Sequence, residues 1–373
     1  MIPKVSFVIP CYNLSHLLLE CINSLLAQSY SDFEVLIMDD CSPDQTPEVA
    51  QSIRDSRVKY VRNKENLGHL RNYNKGIALA RGRYVWLISA DDCLRRPYAL
   101  ERYVHVMEEH PEVGYVFSPA MRIQDGQETE IVPWSIHGNH DVIFKGRNFL
   151  RKLILANCVV ASAGMVRREC YDKVSVFPLD MPNSGDWYLW CVFALHYDAA
   201  YLAEPLVYYR SHDTNMSKFF TKNACHIITS DNIAVRWRLK EKAVGTGVAS
   251  VIRLCKNVIA THYAILLAEK IYENGMFGLT LEEFEKSLQQ HARNKREESE
   301  MRSHVYTALG DQCYLRRDFP QAQQCYEQAV QQDHRALGAW MKYADLKMGR
   351  FGVYLRDSAA IWKQRLSTVP VSE

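Results

Sequence analysis

Four short apolar runs, Val5–Ile9, Phe33–Met38, Val58–Arg62 and Tyr84–Ile88, are rich in β-branched and aromatic residues. That pattern predicts strands, near-continuous in apolar residues because both faces are buried. Between them the apolar positions change to helical spacing. Leu18, Ile22, Leu25 and Leu26 mark a helix over Leu17–Gln28, and further helices are predicted over Thr46–Arg54 and Asn72–Ala80. Thr46 is the expected N-cap of the second, with Pro47 in its first turn. Strands alternating with helices through short loops predict an α/β fold, a mostly parallel sheet flanked by helices. Ligands of such sheets bind beyond the carboxyl ends of the strands. The polar clusters Pro10–Asn13, Asp39–Asp44, Asn63–Gly68 and Ser89–Asp92 all follow strands.

Residues from about 97 to 220 mix the two periodicities and are punctuated by Pro111, Pro119, Pro133, Pro178, Pro182 and Pro205. From about Thr229 the strand pattern fades. Asp231–Ala243 and Val248–Glu273 are predicted amphipathic helices, and the charged stretch Lys286–Glu300 an exposed helix or linker. Tyr306, Leu309, Gly310, Phe319, Ala322, Tyr326 and Ala329 fall on the spacing of a tetratricopeptide repeat, with Trp340 one period after Tyr306. Ala264–Phe277 resembles the first helix of such a unit; an ordinary helical C-terminal domain fits the same residues. The expected organisation is an α/β domain over 1–222, a helical connector over 223–300 and an all-α, tetratricopeptide-like region over 301–373.

Composition narrows the function classes. The 373 residues carry a formal net charge of +2, so bulk electrostatics gives no reason to expect a nucleic-acid partner. The 11 cysteines are dispersed, with no CxxC pair and no zinc spacing, which points to a reducing compartment. Met1–Asn13 lacks the charge and apolar pattern of a secretion signal. Arg253, Lys256 and His262 interrupt the longest apolar stretch, near Val248–Ala268, so no membrane span is expected. These features lead to the expectation of a cytoplasmic protein, peripheral at the inner face of a membrane.

The strand-end clusters carry the candidate chemistry. Pro10 and Tyr12 offer a wall for a flat base. Asp39-Asp40 places two carboxylates at a buried strand end, costly unless a donor or cation meets them. Asn66, Gly68, Arg71 and Asn74 bring amide and guanidinium donors suited to an oxyanion or sugar hydroxyls. Asp91-Asp92 repel each other, which an oxygen-seeking Mg²⁺ or Mn²⁺ relieves. Each has a plainer reading: Asp39-Asp40 with Ser42 and Pro43 as a capped turn, Asp91-Asp92 as charges on a helix N-terminus.

Val5-Ser6-Phe7-Val8-Ile9-Pro10-Cys11-Tyr12-Asn13, Asp39-Asp40-Cys41-Ser42-Pro43-Asp44, Asn66-Leu67-Gly68 to Asn74-Lys75-Gly76, and Ser89-Ala90-Asp91-Asp92 occur in the order of a known pattern. With Asn183-Ser184-Gly185-Asp186-Trp187-Tyr188-Leu189-Trp190 and Tyr209-Arg210-Ser211-His212, the chain over roughly 3–220 resembles a family 2 glycosyltransferase of the GT-A fold. The resemblance implies an inverting transfer of a sugar from a nucleoside-diphosphate sugar, uridine diphosphate being the family's common nucleotide, to a saccharide or lipid-linked saccharide acceptor. It implies donor contacts at Pro10, Tyr12, Asn13, Asp39, Asp40, Asn66, Arg71, Asn74, Ser89, Ala90, Asp91 and Arg210. It further implies Asp91, Asp92 and His212 around Mn²⁺ or Mg²⁺, Asp186 as general base, and Trp187 and Trp190 against the acceptor.

The family's Arg-Asn pair after Asn-x-Gly reads Tyr73-Asn74 here, with Arg71 about one turn away as its substitute. Two further departures stand out: Ser89 holds the first aspartate position of the family's DxD motif, and Gly185 stands where a glutamate usually precedes the base. They support an alternative, a catalytically weakened scaffold acting through its helical C-terminal region. That region would in either case bind a protein partner or a second copy. A processive polysaccharide synthase is disfavoured: Arg236-Trp237 is present, but Ile233 replaces the glutamine of its Gln-x-x-Arg-Trp motif.

Overall fold

The computed structural model describes residues 2–273 and 278–349, with 353, 356 and 357. Parts of two expected segments, Ala264–Phe277 and 301–373, therefore lie outside the described residues.

The predicted alternation is present: β1 (Val5–Cys11), α1 (Ser15–Leu26), β2 (Phe33–Asp39), α2 (Thr46–Ser52), β3 (Val58–Arg62), α3 (His69–Leu79) and β4 (Tyr84–Leu87). Every residue of β1, β2 and β4 is buried, as their continuous apolar runs require. Helix α1 starts at Ser15 rather than Leu17, and the beginnings of the next two helices also differ from expectation. Gln45, not Thr46, is the N-cap of α2, because the Asp44 carboxylate already accepts from the Thr46 amide at 3.1 Å and its hydroxyl at 2.6 Å. Helix α3 begins at His69, immediately after Gly68 turns the chain at φ +80°.

The chain continues through β5 (Cys93–Leu94), α4 (Ala99–Glu109), β6 (Val113–Phe117), β7 (Ala120–Gln124), β8 (Gln127–Ile131), β9 (Val142–Phe144), α5 (Gly146–Leu153), β10 (Gly164–Arg167) and α6 (Arg168–Lys173). Then come α7 (Gly185–His196), β11 (Asp198–Tyr201), β12 (Val207–Arg210), α8 (Met216–Asn223) and α9 (Cys225–Gly245). The main sheet has eight strands in the order β3-β2-β1-β4-β10-β6-β11-β9. Strands β3, β2, β1 and β4 are parallel, while β10 runs antiparallel to both β4 and β6. A smaller sheet pairs β5-β12-β7-β8. The chain moves from β1 outward to β2 and β3, then returns to place β4 on the other side of β1. The crevice beyond the carboxyl ends of β1 and β4 is therefore a topological switch point, where open α/β sheets bind ligands.

The structure divides at residue 251 into two compact units. The reason lies in α9, whose Asp231 and Arg236 are hydrogen-bonded to residues 183–184 and 154–155 of the α/β unit. The second unit is helical: most of α10 (Ala249–Ala268), then α11 (Leu281–His291), α12 (Lys295–Leu315), α13 (Phe319–Gln332) and α14 (Leu337–Lys347). The helix over Ala249–Glu273 is long and apolar enough by composition to cross a bilayer, contrary to expectation, and half of that window is buried within the protein. Lys286–Glu300 is no linker. It ends α11 and starts α12, with Asn294 capping α12 and Glu297 and Glu298 buried because Arg293, Lys295 and Arg302 pair with them. In the α12–α13 pair, Gly310 lies where a Cβ would meet the Tyr326 ring at 2.5 Å.

Helix α3 lies close over β1 for the same reason, since a Cβ at Gly76 would fall 2.4 Å from Val8 Cγ1. Gly76→Ala should cost about 1–3 kcal/mol through overpacking, read as a lower urea midpoint. An unchanged midpoint would show that α3 shifts freely on the sheet.

Candidate functional site

A cavity of about 440 Å³ opens at the switch point, lined by Pro10, Cys11, Tyr12, Asn13, Leu14, Asp40, Asn66, His69, Asn72, Tyr73, Ser89, Asp91, His212, Thr214 and Met216. Four strand ends and the segment after β12 thus converge on one space. Tyr12 is 49 % exposed. Asn13 is held at φ 58° with its amide donating to Ser42 Oγ at 3.1 Å, so the turn after β1 is tied to the turn after β2.

Asp40 is buried, and its Oδ1 accepts from Asn63 Nδ2 and the Leu67 amide, both at 2.8 Å. Asn63 Nδ2 also donates to Asn72 Oδ1 at 2.9 Å, and Lys75 Nζ donates to Asn63 Oδ1 at 2.6 Å. The cluster after β3 therefore serves to orient Asp40.

The adjacent pair after β4 separates. Asp91 Oδ2 lies 2.9 Å from His212 Nε2 and accepts from Asn215 Nδ2 at 3.3 Å. Among the described residues its other oxygen, Oδ1, is buried without a hydrogen-bond partner. Burial pushes Asp91 up, but hydrogen bonds from His212 and Ser89 outweigh it and hold the carboxyl below its ordinary value. Asp92 does not line the cavity. Its Oδ2 accepts from the Ser162 hydroxyl and its Oδ1 from the Arg210 amide at 2.9 Å. Burial, and then the Asp91 charge, push Asp92 well up. Both oxygens of Asp92, expected from the resemblance to meet the metal, are engaged by partners inside the protein.

Several other expected contacts are corrected by geometry. Asp39 is fully buried, its oxygens taken by Tyr60 and Arg62 at 2.6 Å and the Ser42 amide at 2.8 Å. Asn74 is spent at both ends on the Phe177 backbone, at 2.8 and 3.0 Å. Arg71 is exposed and does not line the cavity. Ala90 is packed into the core. Arg210 donates to the Asp91 carbonyl at 2.8 Å and pairs with Glu20 at 2.7 Å, so it braces the turn that carries Asp91. Trp187 and Trp190 are buried. Trp187 Nε1 donates to Leu153 O at 2.7 Å, and the Trp190 ring fills the space left by Gly164 against Tyr115. Trp187 also borders a small pocket with Asn157, Asn183 and Arg236.

Asp186 stands in the first turn of α7, and Asn157 Nδ2 donates to its Oδ2 at 3.0 Å. Burial pushes its carboxyl up to about 6, against the Trp187 amide, Asn157 and its own amide, which all favour the charge. It does not line the main cavity. Tyr73, which does, is pushed up by burial and by the charges of Asp91, Asp186 and Asp92, and so lies within electrostatic reach of both carboxylate sites. His69, Asn72 and Asn157 were not singled out from sequence, and Tyr73 and Asn215 were noted there only as parts of the family pattern, with no role at the site. His69, Asn72 and Tyr73 share one helical face, a signal that was present; the roles of Asn157 and Asn215 depend on long-range contacts.

An open α/β sheet with a polar cavity at its switch point defines a class of nucleotide-binding folds. Residues 6–174 match the family model described as glycosyl transferase family 2. That match covers somewhat less than half of the chain and lies within its α/β unit. It is 32 % identical over 225 residues to an uncharacterized glycosyltransferase of Nostoc sp., covering 57 % of this chain and 66 % of the relative. It is 38 % identical over 103 residues to the succinoglycan biosynthesis protein ExoO of Rhizobium meliloti, covering 28 % of this chain and 29 % of the relative. The chain thus spans less than two thirds of either relative. The crystal structure of S. aureus TarS 1–349 in complex with UDP-GlcNAc superposes with TM-score 0.59 at 16 % identity, covering 93 % of this chain and 92 % of that one. That likeness is one of fold, the expected GT-A architecture followed by helices.

Trp190→Ala should destabilise the α/β unit by about 3–5 kcal/mol through the cavity it leaves, measured by urea unfolding. A cost near zero would leave Trp190 to the acceptor-stacking role that the family resemblance implies.

Proposed function

We propose that this chain is an inverting glycosyltransferase that moves a sugar from a uridine-diphosphate sugar to a hydroxyl of a saccharide or lipid-linked saccharide. The observation that carries this reading is the convergence of Pro10, Tyr12, Asn13, Asp40, Asn66, Ser89, Asp91 and His212 on one cavity at the switch point, in a domain whose residues 6–174 match the glycosyl transferase family 2 model. Pro10 and Tyr12 border the space for the base, and Asp40, held by Asn63 and the Leu67 amide, accepts from base or ribose.

The buried, unpartnered Asp91 Oδ1 and the His212 imidazole beside Oδ2 fit a divalent cation. Among the described residues no three His, Cys, Asp or Glu side chains form a metal cluster, so Mn²⁺ or Mg²⁺ there would be completed by donor phosphate oxygens. When bound, such an ion supplies Lewis-acid stabilisation of the leaving diphosphate.

Asp186 takes the proton from the acceptor hydroxyl. Its elevated pKa suits a general base near neutral pH. The base must be ionised, so activity rises with pH through about 6. For stability the sign is opposite. The folded state binds the Asp186 proton more tightly than the unfolded chain, so this group's contribution falls as pH rises from about 4 to about 6. The expectations of a cytoplasmic enzyme at a membrane's inner face, and of C-terminal helices docking a protein partner or a second copy, belong to the same reading.

Asp186→Asn should lower kcat by about 10²–10⁴ while the dissociation constant for uridine diphosphate, measured by calorimetry, stays within about twofold. Equal loss of nucleotide binding would remove Asp186 from the base role. Excess chelator should stop donor hydrolysis across a panel of nucleotide sugars, and added Mn²⁺ should restore it. Full turnover in chelator would rule out the cation at Asp91 and His212.

A further inference from the structure

Asp186 is held by two arms, and both are anchored by a helix that lies beyond residues 6–174, the span of the family match. The first arm is the start of α7. Its N-cap Ser184 makes no side-chain cap bond, and the incoming amides of Asn183 and Ser184 donate instead to Asp231 Oδ2 of α9, at 2.7 and 3.1 Å. This fixes the turn whose own amides, at Asp186 and Trp187, bond the Asp186 carboxylate. The second arm is the segment after α5 that carries Asn157. Arg236 of α9 donates through Nε to Ile154 O at 3.1 Å and through Nη2 to Leu155 O at 2.8 Å. Its guanidinium also lies over the Trp187 ring, 4.9 Å from the centroid, while Nη1 returns to Asn232 O at 2.8 Å. Arg236 therefore clamps the Asn157 segment to the helix that carries Asp186.

We propose that Asp231 and Arg236 of α9 are positioning residues for Asp186, Asp231 by fixing the first turn of α7 and Arg236 by holding Asn157 in hydrogen-bond reach. The proposal rests on the reading of Asp186 as general base and extends it to residues outside the family match. Every group the two arms bring to Asp186 favours its ionised form, and only burial opposes it. Loosening either arm thus leaves a buried carboxylate with fewer donors, and its pKa rises. The titratable groups facing this region are Tyr73 and His69 of α3, Asp231 and Arg236 of α9, and Asp180 paired with Arg238. Asp231 is itself pushed up by burial and held back by the Asn183 and Ser184 amides, so its titration must be separated from that of Asp186.

The test is a carbon-13 NMR titration of aspartate-labelled full-length protein, with the Asp186 signal assigned by its loss in Asp186→Asn, run beside the pH profile of kcat. Arg236→Met and Asn157→Ala should each move the Asp186 midpoint upward by about one pH unit, with kcat at low pH falling about tenfold in step. Their double variant should move it no further, because both remove the same arm. Asp231→Ala should shift it in the same direction. Asp231→Asn keeps an acceptor for the two amides and should leave the midpoint in place.

Near-UV circular dichroism identifies any variant that fails to fold. Arg236→Lys, which keeps one donor and the charge, then replaces Arg236→Met with a smaller upward shift expected. An unmoved midpoint in folded Arg236 and Asp231→Ala variants overturns the proposal, as does a fully additive double variant. Retained turnover in Asp186→Asn would instead overturn the base reading, while the NMR midpoint would still decide whether α9 positions Asp186.

Discussion

Two neighbouring carboxylates in a buried turn cannot both stay ionised without help, and the arrangement of the candidate site follows from how Asp91 and Asp92 resolve that conflict. They take different partners. Asp92 enters the protein, where Ser162 and the Arg210 amide meet its oxygens and its proton is held tightly. Asp91 keeps its charge, steadied on one oxygen by His212 and Asn215 and left with the other unpartnered. The strand β12 and the segment after it supply Arg210, His212 and Asn215, so the second sheet closes the mouth of the first.

The other acidic pair is resolved in the same manner. Asp39 is consumed by Arg62, Tyr60 and the Ser42 amide, while Asp40 reaches the cavity with one oxygen held by Asn63 and the Leu67 amide. In each pair one carboxylate builds the turn and the other serves the cavity. The cavity thus presents single, oriented carboxylates rather than repelling pairs, which limits the electrostatic cost of holding it open. Asp186 is different in kind. It stands alone, raised by burial and lowered by amides and Asn157, and the phenol of Tyr73 feels both it and Asp91.

The strands of the first half, their order along the chain and the strand-end location of the site were legible in sequence. Continuous apolar runs and helical spacing are local properties, and a parallel sheet leaves its loops in one place. Pro10, Tyr12, Asn13, Asp40, Asn66, Ser89, Asp91 and His212 were named from sequence and do meet at one cavity. Arg71, Asn74, Asp39, Ala90, Asp92, Arg210, Trp187 and Trp190 were named on the same grounds, and none of them lines that cavity. The side chain of a motif residue can turn either way. Which way depends on partners far along the chain, such as Phe177 for Asn74 and Ser162 for Asp92.

Sequence by itself determined the α/β class, the family pattern and the set of strand ends that can carry polar groups, because periodicity and chain order are written locally. Only the tertiary structure decided which carboxylate of each pair is spent inside the protein, that two tryptophans fill the core, and that α9 reaches back to the segments holding Asp186. Those outcomes turn on the hydrogen bonds that buried polar atoms must find, and their partners lie tens of residues away, where no local pattern announces them.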